Sequence, residues 1–286
     1  MIIWLASYPK SGNTWLRFFI ISLLMGKKVD LNLNHLKAII SYPDKIHFKG
    51  LLKNVLDIDE IAKNWINSQN IINSDKTFRF FKTHNMFIKY KDYAFTDVNN
   101  TLATIHIVRD PRNVITSLKN HYSLSNYEDA KNFLFYDNQI LTPSEKEKEK
   151  YLNKEKHPLP QIVGSWRTHY ISWKNMKKNY FLVKYEDLIK NPLEEFTRIT
   201  NFISRVLKVK FSNEQIENAV KLSSFSNLQS MEKKYGFTES STNNEGVKNK
   251  FFYLGPSNDW NNILESNLVE EINKKYSTEM SELGYL

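Results

Sequence analysis

Ser7-Tyr8-Pro9-Lys10-Ser11-Gly12-Asn13-Thr14-Trp15 decides how the rest of the chain is read, because it joins two apolar runs of different length. Met1 to Ala6 is short and β-prone, whereas Trp15 to Met25 is long enough for a helix of about three turns. A strand that feeds a helix through such a turn aims consecutive backbone N–H groups, and the positive end of the helix dipole, at one point. The turn is therefore expected to hold an anion. In the nucleoside-triphosphate loop GxxxxGK(S/T), lysine follows the second glycine; here Lys10 precedes Gly12 and no glycine opens the loop. That order argues against an ATPase. Taken alone, the stretch is also compatible with a surface turn carrying a solvated lysine.

The helix expected from Thr14 to Met25 is apolar on almost every face, with Trp15, Phe19 and Leu23 on one side and Leu16, Ile20 and Leu24 on another. Such a helix is buried between a sheet and other helices. Gly26 suits its C-cap, with Lys27 and Lys28 at its negative end. Three later runs repeat the pattern of an apolar strand ending in a cationic or hydrogen-bonding side chain. Phe78 to Lys82 leads into Thr83-His84, Thr101 to Val108 ends at Arg109, and Tyr180 to Lys184 ends at Tyr185. In open parallel sheets ligands bind beyond the carboxyl ends of the strands, so these tips are expected to gather round one anion-rich ligand. Asp110 and Pro111 read as N-cap and N1 of a helix through Val114, Leu118 and Tyr122, on which Ser117 shares a face with Asn113 and His121.

With 286 residues, 41% hydrophobic and 14% aromatic, the chain can bury a full core, and one α/β domain over residues 1–286 is expected. Its 40 basic and 31 acidic residues give a net charge of +9, which favours anionic ligands. The basic residues are mostly scattered lysines without an Arg-rich arm, so nucleic acid is not the expected partner. The absence of cysteine excludes disulfides and thiolate chemistry, and no clustered His and carboxylate ligands argue for a metal. No signal peptide or transmembrane run is read, so a soluble, cytoplasmic protein is expected.

Between Val29 and Lys76 short amphipathic pieces, Leu51 to Leu56 and Ile58 to Trp65, suggest small helices. Residues 126–160 are polar, and Ser144 to Lys156 alternates in charge, as in a solvated helix or mobile loop. Trp166, Tyr170 and Trp173 stand at helical spacing and read as core packing, and Leu193 to Leu207 reads as a further amphipathic helix.

The stretch from Tyr8 to Trp15, YPKSGNTW, resembles the 5′-phosphosulfate loop of the cytosolic-type sulfotransferases, usually written YPKSGTTW, with Asn13 its one departure. Arg109 to Ser117, RDPRNVITS, is similar to that family's 3′-phosphate motif, in which an arginine and a serine eight residues later hold the ribose 3′-phosphate. Lys82-Thr83-His84 matches its KTH motif, Gly164 to Trp173 its GSWxxHxxxW helix, and Tyr185 to Leu188 its YEDL stretch. Ser223-Ser224-Phe225 is similar to the Ser-Phe segment that contacts adenine.

The resemblance runs from residue 8 to Trp260. It implies a P-loop-like, three-layer α/β/α fold with a central, mainly parallel sheet, and a donor, 3′-phosphoadenosine 5′-phosphosulfate (PAPS), that leaves as 3′,5′-adenosine bisphosphate. It assigns donor contacts to Lys10, Ser11, Gly12, Asn13, Thr14, Trp15, Arg109, Ser117, Tyr185, Ser224, Phe225 and Gly255, with catalytic roles for His84, Lys10, Lys82 and Ser117. His84 is the implied general base, taking a proton from the hydroxyl or amine of a small acceptor. Phe251 to Trp260 departs from the family's FxRKGxxGDW motif: Tyr253-Leu254 stands where Arg-Lys would meet the 3′-phosphate. Lys248 or Lys250 could substitute, but the expectation is that Arg109 and the Gly255 N–H suffice. The family's dimerisation signature is also absent, so the oligomeric state is left open. Two other readings stand beside this one: a P-loop kinase-like phosphotransferase, which the glycine-lysine order disfavours, and a non-catalytic nucleotide-binding protein, suggested by the missing pair.

Overall fold

The opening apolar run forms strand β1, Ile2–Ser7, and every residue of it is buried. A computed structural model describes residues 1–26, 28–143, 152–243 and 245–286. Strands β2 (Arg79–Thr83), β3 (Thr101–Val108) and β4 (Tyr180–Lys184) join β1 in one parallel sheet of order β2-β1-β3-β4, flanked by helices. The α/β class expected from the sequence is found. β1 and β2 run parallel with Ile2 opposite Arg79 and Ala6 opposite Thr83.

Two compact units divide the chain. The first comprises Met1–Tyr8, Ile39–His106 and Tyr136–Leu182, and contains the body of the sheet. Its core gathers Trp4, Tyr42, Trp65, Phe81, Phe95 and Trp173. Trp4 is fully buried and its indole N–H donates to Thr101 Oγ1 at 2.9 Å. Removing a tryptophan from water contributes roughly 4–6 kcal/mol, so this ring alone is a large share of what holds this core together.

The second unit comprises Pro9–Ala38, Ile107–Phe135 and Val183–Leu286. Helix α1 (Asn13–Met25) has ten buried residues spread round its circumference, as its apolar pattern requires. Phe19 stacks on Phe196 of a later helix at 4.0 Å between ring centres. Gly26 closes α1 with its N–H on the Ser22 carbonyl, in right-handed conformation. Helix α2 (Pro111–His121) starts as read, with Asp110 accepting from the Arg112 N–H and Pro111 in its first turn.

Some expectations need correction. Leu51 to Leu56 is a run of turns rather than a helix, because the Glu60 carboxylate takes the N–H groups of Lys53 and Asn54, both at 2.8 Å, and the Asn54 side chain takes that of Leu56. The helix expected over Ile58 to Trp65 ends at Lys63, and a second one runs Trp65–Asn73. Within 126–160, Tyr127–Phe135 is a helix with Ala130 and Leu134 buried, and Ile140–Leu141 pairs antiparallel with Gln161–Ile162. Residues 144–151 of the charge-alternating stretch, and Lys27, lie outside the described residues.

Candidate active site

In the second unit the turn after Tyr8 has two left-handed residues, Lys10 (φ 66°) and Gly12 (φ 101°). Lys10 has a Cβ and is strained there, a device that persists where the surroundings hold it and that aims backbone N–H groups inward. Gly12 has a second constraint: a Cβ on it would lie 2.5 Å from Tyr185 Cδ2 and 3.0 Å from Ile107 Cδ1. No side chain caps α1, and no acidic residue stands in its first turn, so that turn supplies no negative charge against the helix's positive end. The Ser11 hydroxyl is buried with no hydrogen-bond partner among the described residues. Buried polar atoms are nearly always paired, so an unpaired one in this turn is a candidate ligand contact.

Arg109, at the end of β3, is 5% exposed. Its Nη1 donates to the Lys10 carbonyl at 3.1 Å and to Ser117 Oγ at 3.2 Å, and its guanidinium lies 4.2 Å from the Tyr185 ring centre. The expected eight-residue spacing therefore does bring arginine and serine together, two turns along α2. Tyr185 opens helix α3 (Tyr185–Lys190), and Trp15 meets it edge-on at 5.6 Å. Burial pushes the Tyr185 hydroxyl above its usual titration range, and Arg109 opposes that shift, so the phenol stays neutral.

Farther along, Phe225 opens helix α4 (Phe225–Tyr235) with Ser224 as N-cap. Gly255, at φ 53°, packs so closely against the Phe225 ring that a Cβ would collide with it. Lys10 Nζ stands 3.7 Å from the ring centre of Phe251. Tyr253, at the first of the missing cation positions, is half exposed.

Two sequence-derived groups are engaged otherwise. Thr14 Oγ1 accepts from Arg17 Nη2 at 3.1 Å and donates to Glu239, whose carboxylate holds Arg17 at 2.7 Å. Lys184, one of the expected cationic tips, instead donates to the Leu283 carbonyl at 3.1 Å and stands 3.6 Å from Asp187.

In the first unit His84 follows β2. Its Nδ1 lies 2.7 Å from the Ser7 carbonyl and 3.2 Å from Ser7 Oγ. A carbonyl only accepts, so Nδ1 carries the proton and Nε2 is the basic nitrogen. The His84 N–H donates to Gln161 Oε1 at 2.8 Å. Lys82 is fixed by its backbone, its N–H on Ile40 O and its carbonyl on Tyr42 N. The next residue, Asn85, is fully buried and takes the Ile162 N–H at 2.9 Å, while Trp173 Nε1 donates to its carbonyl at 2.9 Å. The buried His169 lies beneath, with burial pushing its imidazole down to about 3 and the His84 backbone opposing the shift. Asn85 and Gln161 were not singled out from sequence, and His169 entered only as the histidine of the GSWxxHxxxW match; the position of Asn85 directly after the KTH triplet was its one hint. Among the described residues, no three His, Asp or Glu side chains gather as a metal site would require.

A family model described as the sulfotransferase domain matches residues 2–284. Flavonol 3-sulfotransferase of Flaveria bidentis is 25% identical, covering 99% of this chain and 82% of its own. The 3-beta-hydroxysteroid sulfotransferase of Cavia porcellus is 26% identical, covering 98% and 83%. Among solved structures, retinol dehydratase in complex with retinol and PAP superposes with a TM-score of 0.61 at 17% identity, covering 98% of this chain and 81% of that one. A family-model match over nearly the whole length, on a central parallel sheet flanked by helices, shows that the chain belongs to the sulfotransferase domain family.

Proposed function

We propose that this enzyme transfers a sulfuryl group from PAPS to a hydroxyl of a small acceptor, or to an amine, with His84 as general base. The observation that carries the reading is the Arg109–Ser117 pair at 3.2 Å beside an uncapped helix start with a buried, unpartnered Ser11 hydroxyl. These groups fit a ligand with two separate anionic ends. The backbone N–H groups of Ser11, Gly12 and Asn13, with Lys10, would hold the 5′-phosphosulfate. Arg109, Ser117 and the Gly255 N–H would hold the 3′-phosphate, and Tyr185, Phe225 and Ser224 the adenosine. Thr14 and Trp15 serve the loop from behind, Thr14 through Arg17 and Trp15 through its packing on Tyr185.

When bound, PAPS supplies an activated SO₃ unit whose departure leaves negative charge on a phosphate oxygen. The chain's contribution is positioning and charge. Lys10 neutralises the oxygen that leaves, and Lys82 adds positive charge toward the transferring group. Ser117 keeps Arg109 oriented, and so acts on the donor rather than on a proton. His84, held by Ser7 through Nδ1, offers Nε2 to the acceptor's O–H or N–H and takes up its proton as the new bond to sulfur forms. We further infer that both units work as one catalytic domain, in the cytoplasm.

The test is calorimetry with 3′,5′-adenosine bisphosphate, followed by labelled-donor screening of alcohols, phenols, amines, sugars and lipids. Binding with sulfate transfer to one acceptor class is expected. No heat of association would refute the donor assignment, and ATP turnover would favour a kinase.

A further inference from the structure

The loop that lost its Arg-Lys pair is gripped from one side of α4. The Glu232 carboxylate accepts the N–H of Phe251 at 2.7 Å, the N–H of Phe252 at 2.9 Å and the Ser240 hydroxyl at 2.9 Å. Gln229 Nε2 donates to the Phe252 carbonyl at 3.0 Å, and Phe225 fills the space over Gly255. Residues 225, 229 and 232 are spaced by four and three, so they form one stripe along the helix, and that stripe holds the loop at three successive points. What the grip presents is the ring of Phe251. Phe237, His121 and Phe252 stand steeply against that ring, with centres 4.9, 5.8 and 5.2 Å away, and the Lys10 ammonium lies 3.7 Å from its centre.

We propose that Glu232 is a positioning residue for Lys10: by fixing the Phe251 and Phe252 amides it sets the Phe251 ring as a perch that keeps the ammonium at the phosphate loop before the donor arrives. An extended lysine has many rotamers, and a cation over an aromatic face restricts them without offering a competing anion. The inference rests on the donor reading above, since it gives Lys10 the 5′ end of the nucleotide.

The experiment compares two probes by calorimetry: 3′,5′-adenosine bisphosphate, and 3′-AMP, which lacks the 5′-phosphate. Phe251→Leu and Glu232→Ala are each expected to weaken the bisphosphate about five- to tenfold while leaving 3′-AMP within about twofold. Because both act through one ring, the double variant is expected to lose no more than about a further twofold. A loop that had simply collapsed would weaken both probes alike, since Gly255 and Phe225 lie on it or against it. Equal loss of both probes, multiplied losses in the double variant, or unchanged bisphosphate affinity in Glu232→Ala each overturn the proposal. Wild-type protein that binds neither probe defeats the donor reading itself, and this inference with it.

Discussion

Replacing Arg109 by alanine separates the two ends of the nucleotide. The side chain is 5% exposed, donates to the Lys10 carbonyl and to Ser117, and lies over Tyr185 at 4.2 Å. In the free protein its loss removes two hydrogen bonds and a ring contact, a cost of about 1–3 kcal/mol in stability. On binding, it removes one cation from the 3′-phosphate in a chain where Tyr253-Leu254 provides no second one. A hydrogen bond to a charged group contributes about 1.5–3 kcal/mol, so the affinity for 3′,5′-adenosine bisphosphate is expected to fall between about ten- and 150-fold. For 5′-AMP, which has no 3′-phosphate, the change is expected to stay within about threefold. Titration of both nucleotides against wild type, Arg109→Ala and Arg109→Lys measures this, with a thermal melt as the folding control. Lysine restores the charge without the fork and the flat stacking surface, so it should recover part of the loss. Equal weakening of both nucleotides would refute the assignment, as would unchanged affinity for the bisphosphate.

His84→Ala is expected to keep bisphosphate affinity within about twofold and to lower transfer by about a hundredfold or more; activity within tenfold of wild type contradicts a base at that position. Gly12→Ala forces φ 101° on a residue whose Cβ would lie 2.5 Å from Tyr185, so both the melting temperature and nucleotide affinity should drop, and an unchanged melt would show that the turn relaxes freely. Tyr253→Arg with Leu254→Lys is expected to tighten the bisphosphate about tenfold and leave 5′-AMP unchanged; no gain would mean that these positions do not face the 3′ end. Burial holds His106 well below its ordinary value and His169 at about 3. Both stay neutral in the folded chain, while the unfolded chain takes up protons below about pH 6.5. Stability is therefore present above that pH and lost as pH falls toward 3, by up to about 1.4 kcal/mol per pH unit per histidine. Urea midpoints between pH 7 and 5 should fall, and less steeply in His169→Gln; a flat profile in wild type contradicts it.

The strand, turn and helix from Ile2 to Met25 were legible because their chemistry is local: a proline, a lysine and a glycine separate two apolar runs. Arg109 and Ser117 were legible for a similar reason, since a capped helix fixes their spacing at two turns. Lys184 misled because a strand end specifies where the backbone stops, not where a four-carbon side chain goes: one partner, Asp187, is three residues on, and the other, the Leu283 carbonyl, is set by the chain's last helix. The same limit hid Glu232, whose role depends on two amides nineteen and twenty residues away. Leu51 to Leu56 looked helical by its apolar spacing, yet Asn and Asp side chains with Glu60 offered the backbone better partners as turns.

The orientation of the His84 imidazole can be traced to the core. Ile2, Trp4 and Ala6 face the aromatic cluster while Ile3 and Leu5 are buried as well, so it is the bulk of Trp4 among Tyr42, Phe81 and Phe95 that seats β1 in its register beside β2. In this register Ala6 stands opposite Thr83. The next pair along the two parallel strands is Ser7 and His84, which puts the Ser7 carbonyl within 2.7 Å of Nδ1. The proton on Nδ1, and with it the lone pair on Nε2, thus follows from where β1 is seated against β2. Asn85 then stops the strand by taking the Ile162 N–H, so the imidazole cannot ride along with further pairing. A substitution in the core that shifts β1, such as Trp4→Ala, is therefore expected to disturb the Ser7–His84 contact before the turn at Lys10 to Asn13 changes.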